Sequence, residues 1–195
     1  GYGSISWGTY NTVNAEAAIN VPLGGGFAAR LSGIVQRRDD WVDNTDTAGL
    51  ADSNLEGYRD IAGRLQIGFE SDTFNALVNV HARDLEGTPR IFRAGLFRRG
   101  TNDFAPGFDK GRVALDGLTS QSLSSFGANL RMDLTFDGIG TLYSVTAYEE
   151  ANVESTGDID GGNNYVFPPL GLNNALFPVN TGGRTKPREF SQELR

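Results

Sequence analysis

Apolar and polar side chains alternate with a period of two along most of this chain, and the longest clean run lies between Phe126 and Phe136. There Phe126, Ala128, Leu130, Met132, Leu134 and Phe136 fall on one face, while Gly127, Asn129, Arg131, Asp133 and Thr135 fall on the other. Successive side chains of a strand point to opposite sides, so the pattern predicts a strand with one apolar and one hydrated face. Ile61, Gly63, Leu65, Ile67 and Phe69 repeat it against Asp60, Arg64, Gln66 and Gly68. So do Phe74, Ala76, Val78, Val80 and Ala82, with Leu77 as the exception on the polar side, and Phe27, Ala29, Leu31, Gly33 and Val35. Weaker runs extend from Ile5 to Val21 and from Gly140 to Glu150. Each run is roughly ten residues, the length of a tilted strand crossing a bilayer, whereas soluble strands are most often about 5–6.

The connections alternate as well. Pro22-Leu23-Gly24-Gly25-Gly26, Ser71-Asp72-Thr73 and Asp137-Gly138-Ile139-Gly140 read as tight turns, whereas Asp39 to Tyr58, Asp84 to Ser125 and Asn152 to Arg188 are long. Long loops at one end and short turns at the other are the arrangement of an outer-membrane barrel, with the turns on the periplasmic side. On that reading the runs at Ile5, Arg59 and Phe126 descend toward the periplasm and those at Phe27, Phe74 and Gly140 ascend. Phe27, Phe69, Phe74 and Phe136 then gather beside the short turns as one side of an aromatic girdle. The expected fold is all-β: about seven strands of an antiparallel up-and-down transmembrane barrel, an arc of wall from a larger one. A soluble sandwich with one wet face is the competing architecture.

Composition removes several functions. The 195 residues include no cysteine and one histidine, so thiolate zinc sites, disulfides and multi-histidine metal centres are excluded within this stretch. A formal charge of -7 argues against a nucleic-acid binder. No apolar stretch reaches the roughly 18 residues of a membrane helix, a test that does not touch spanning strands. The sequence opens on Gly1 and stops at Arg195 inside an alternating run, so both ends read as cuts.

Gly8-Thr9-Tyr10-Asn11, the run from Ala15 to Leu23, the run from Ala29 to Gly33, and Arg38-Asp39-Asp40-Trp41-Val42-Asp43-Asn44 together resemble the start of the barrel in TonB-dependent receptors. Phe92-Arg93-Ala94, the run from Phe108 to Arg112, Asp116-Gly117, the run from Gly157 to Gly162 and the terminal Phe190-Ser191-Gln192-Glu193-Leu194-Arg195 continue the resemblance in order along the whole chain. The resemblance implies a monomeric barrel of about 22 strands in the bacterial outer membrane, whose lumen is filled by an N-terminal plug. Residues 1–195 would then be part of the barrel domain, with the plug and the remaining strands elsewhere. It also implies capture of a scarce nutrient (a ferric siderophore, cobalamin or an oligosaccharide), uptake driven by the TonB complex, and contact with lipid and lipopolysaccharide. A passive porin, and more distantly a secreted carbohydrate-binding sandwich, are the alternatives.

Neither a catalytic residue nor a cofactor or metal site is expected. With one histidine and no cysteine the usual nucleophile–base pairs can be built around His81 alone, which is read as a polar lumen residue, and Asp39-Asp40 and Glu149-Glu150 point to opposite faces as consecutive strand residues. Asp158-Ile159-Asp160-Gly161-Gly162-Asn163 has the acidic spacing of a calcium loop, but Pro169 stands where the bidentate glutamate belongs, so it reads as a loop turn. Arg90, Arg93, Arg98 and Arg99, with Lys110 and Arg112, make one long loop basic and are the candidate contacts for an anionic ligand. Tyr165, Phe167 and Phe177 in the last loop are candidates for stacking on a ring.

Overall fold

The computed structural model describes residues 1–46, 52–163, 166–167, 172–173 and 180–195. Among them there is no helix, and fourteen strands are found: β1 (Tyr2–Gly8), β2 (Thr12–Gly24), β3 (Phe27–Arg38), β4 (Val42–Asn44), β5 (Asn54–Leu55), β6 (Tyr58–Glu70), β7 (Phe74–Gly87), β8 (Arg112–Val113), β9 (Ser120–Phe136), β10 (Gly140–Asp158), β11 (Val166–Phe167), β12 (Leu172–Asn173), β13 (Asn180–Thr185) and β14 (Arg188–Leu194). Nine of these form one antiparallel sheet in the order β1-β2-β3-β6-β7-β9-β10, with β13 and β14 both pairing with β10. The sheet is open, bounded by β1 at one edge and by β13 and β14 at the other.

The run from Ile5 to Val21 is two strands rather than one. Thr9, Tyr10 and Asn11 turn the chain, with the Thr12 amide donating to the Thr9 carbonyl at 3.2 Å. The Ile5 segment therefore runs opposite to the expected direction, and the sheet gains a strand. Two other differences arise from length: β9 has 17 residues and β10 has 19, so the loop expected from Asp84 to Ser125 is confined to 88–119. The strand ladder simply continues where the apolar alternation stops.

Register puts the alternating residues in rows. Leu31, Leu65, Val80 and Ala128 are successive cross-strand neighbours on one face, and Arg30, Gln66, Asn79 and Asn129 on the other. The burial of these faces is the inverse of that in a soluble protein. Leu31 is 57%, Leu65 42% and Val78 41% exposed, whereas Asp60 and Asn79 on the polar side are each 8% exposed. The apolar face, called the outer face below, is the more exposed of the two at these positions, and no second layer covers it among the described residues.

On the outer face the apolar zone has two sharp borders. At the short-turn end Phe27 pairs with Phe69, Phe74 lies two residues below the partner of Phe69, and Phe136 lies two below the partner of Phe74. The first three rings touch, with centroids 4.5 Å and 6.0 Å apart. At the long-loop end Arg37 pairs with Arg59, and the border steps down through Asp84 to Glu150. Both borders drift the same way, so the zone is a slab of constant height cut obliquely across tilted strands. About nine tilted residues at roughly 3.3 Å each make it on the order of 20–25 Å tall. On β10 this face carries Ser144 and Thr146, and Gln192 of β14 donates to the Ser144 hydroxyl at 3.1 Å.

Among the described residues the one fully buried apolar cluster lies in the loops. Val42, Leu55 and Leu115 pack together with Trp41, Ile91 and Val113 at their margin. Around them β4 pairs antiparallel with β5 and parallel with β8, a small sheet that joins the first two long loops. The Asn44 side chain works as a strand edge here: its amide donates to the Leu115 carbonyl and its oxygen accepts from the Leu115 amide, each at 2.9 Å.

Candidate functional site

The three long loops meet around a cavity of about 730 Å³, lined by Thr45 of the first, residues between Arg93 and Ala114 of the second, and Asp160 to Asn163 of the third. A shallower concavity of about 770 Å³ over β1, β2 and β3 is lined by Ile5, Ile19, Leu31 and Val35; it belongs to the outer apolar face and gathers no chemistry.

Arg93 reaches the loop cavity, but its guanidinium is committed to the loop itself. It donates to the carbonyl oxygens of Asp109 (3.2 Å), Lys110 (2.6 Å) and Arg112 (3.4 Å), fixing the wall opposite. Arg112 also lines the cavity, with an exposed side chain that makes no ion pair among the described residues. Arg90, Arg98 and Arg99 are exposed and lie outside the cavity lining. The four arginines are therefore not brought together: one buttresses the site and three stand on the loop surface.

Aromatic residues that the alternation could not reveal complete the wall. Phe104 stacks on Phe108 at 4.5 Å and on Phe97 at 5.5 Å, with interplanar angles of 13° and 11°. Phe108 ends this row at the cavity. The Phe97–Phe104 bridge closes a small hairpin that presents the row to solvent. Tyr165 and Phe177 lie outside the described residues, as does Pro169.

Beside the cavity the carboxylates of Asp116, Asp158 and Asp160 lie within 4.8 Å of one another, an all-oxygen group of the kind that ligates hard cations. The Asp158–Asp160 spacing is visible along the chain, whereas Asp116 comes from another loop. Asp158 accepts from the amides of Gly161 (2.7 Å) and Gly117 (3.1 Å), pinning the second loop to the end of β10. Burial, followed by the hydrogen bond with Asp158, pushes Asp160 up to about 6. Burial and the neighbouring Asp158 and Asp46 raise Asp116 as well.

A carboxyl raised above its unfolded value of 3.8 binds its proton more tightly when folded, so its contribution is complete below about pH 4 and is lost as pH rises through about 6. The loops are thus expected to loosen between pH 4 and 7, read as falling amide protection at Ala94 and Gly161 after correction for intrinsic exchange. Asp160→Asn should flatten that slope. An unchanged slope would remove Asp160 as its source.

On the polar face of the sheet, Glu149 reaches across Gly127 to His81, with Oε2 3.2 Å from Nε2. A Cβ at residue 127 would meet the Glu149 carboxylate, so glycine leaves the path open. Asn79 contacts His81 Nδ1 at 3.3 Å. Glu150, on the opposite face, accepts from the Tyr148 hydroxyl at 2.7 Å, so the consecutive glutamates do diverge.

Compared with protein-family models, curated proteins and solved structures, the chain matches none.

Proposed function

We propose that this chain is an arc of wall from a bacterial outer-membrane barrel that takes up a scarce nutrient, with the loop cavity as its capture site and TonB-driven transport completing import. One observation carries the membrane part: an uncovered apolar face bounded by a phenylalanine row and by a charged rim that slant together. Lipid is the solvent in which such a face is stable, because burying aliphatic surface in it removes the surface from water. A secreted sandwich would lay a second sheet over this face.

The receptor part rests on the resemblance and is supported by loops large enough to enclose a ligand-sized cavity. A ferric chelate, cobalamin or an oligosaccharide all remain open as its ligand, and a passive porin is the alternative transport mode.

The full-length protein in vesicles tests both parts. Leu65→Cys should react with a bilayer-restricted reagent and Gln66→Cys, one residue on, with a water-soluble one. Equal reaction of both with the water-soluble reagent would overturn the wall. Uptake that persists after the proton-motive force is collapsed would replace the receptor by the porin.

A further inference from the structure

Arg37 and Arg59 are direct cross-strand partners on the outer face, one step above Val35 and Ile61 at the upper border of the apolar slab. Like charges placed opposite each other repel at Cβ separations of about 5 Å, and the pair is unfavourable without an anion between. The chain supplies little of one. Arg37 approaches Asp39 at 3.3 Å, but both side chains are about half exposed, where such pairs are weak. Arg59 is exposed and makes no ion pair among the described residues, although Glu86 is its other cross-strand neighbour. Trp7, 74% exposed, stands in the same row, where indole favours the boundary between hydrocarbon and headgroups.

We infer that Arg37 and Arg59 form a binding site for the phosphate head of a membrane lipid whose acyl chains lie down the slab over Val35, Ile61, Leu31 and Leu65. Two guanidiniums side by side offer parallel N–H donors to a phosphate's oxygens, and the aliphatic surface beneath continues where the head ends. Both halves of an amphiphile are thereby matched by adjacent parts of one strand pair. The inference rests on the wall reading above.

Native mass spectrometry of the full-length protein, released from nanodiscs containing phosphatidylcholine with a minor fraction of lipid A, reads the site. Retention of lipid A over phosphatidylcholine is expected. Loss of both guanidiniums in the Arg37→Gln, Arg59→Gln variant should weaken that retention roughly twenty-five-fold, about fivefold for each charge near the headgroups. Arg131→Gln, on the polar face, should leave it unchanged. Lysine at both positions should restore part of it, since charge survives while the planar fork does not. Undiminished retention in the double glutamine variant would overturn the site, and so would inorganic phosphate binding as tightly as lipid A. Failure of Leu65→Cys to react from within the bilayer would show instead that the wall reading had failed and taken the lipid site with it.

Discussion

Leu65→Arg is expected to destabilise the protein in a bilayer by about 2–4 kcal/mol, the cost of a cation near the midplane of a barrel's lipid face. Leu65 lies midway up the slab on β6, between Leu31 and Val80, and is 42% exposed. In water the same exposure predicts a change within about 0.5 kcal/mol, because a half-exposed strand position lets the long side chain reach solvent. The two environments thus give opposite results for one substitution. Gln66→Arg, on the polar face beside Asn79, should be nearly neutral. Reversible denaturant unfolding of the full-length protein in vesicles measures both, and a neutral Leu65→Arg would remove lipid from the account of this face.

The long strands were legible because a strand with one apolar and one polar face obeys a rule of period two that sequence displays directly. Register then followed, since slipping one strand by a residue would carry its apolar set to the wrong side. The missed turn between β1 and β2 has a local cause. Tyr10 and Asn11 adopt φ of 58° and 50°, the conformation of a tight hairpin. Asparagine is a familiar signal for it, but tyrosine is rarely found there, and Thr9-Tyr10-Asn11 lacked the glycine that marked two of the other turns. The extra length of β9 and β10 was hidden for another reason. Ser120, Ser122, Ser124 and Ser125 are polar on both faces, so backbone pairing continues without leaving a hydrophobic pattern.

The site was less legible, because it is built by contacts between loops distant in sequence. Local basicity singled out Arg93, yet nothing in the sequence says that its guanidinium ends on three carbonyl oxygens. Asp116 joins Asp158 and Asp160 only once the loop around Leu115 is folded against the end of β10. Val42, Leu55 and Leu115 are isolated apolar residues in polar surroundings, and single residues carry no period.

Those three residues set the second large effect. Leu115→Ala is expected to cost the loop assembly about 2–5 kcal/mol, because Leu115 is fully buried and its removal leaves a cavity against Val42 and Leu55. The loss should stay local. Among the described residues the cluster draws on no side chain of the nine-stranded sheet, whereas the neighbouring Asp116 and the Asn44 bonds to the Leu115 backbone lie beside the loop cavity. Hydrogen exchange should therefore accelerate at Thr45 and Ala94, whose amides donate to Val113 and Gly161, and at Gly161, whose amide donates to the Asp158 carboxylate, while amides in the middle of β6 and β7 keep their protection. Ligand capture should fall with the loop protection, by the fraction of molecules whose cavity has come apart. Loss of protection in β6 and β7 to the same degree would mean that loops and wall unfold as one unit, and that the small cluster is a core for the whole chain.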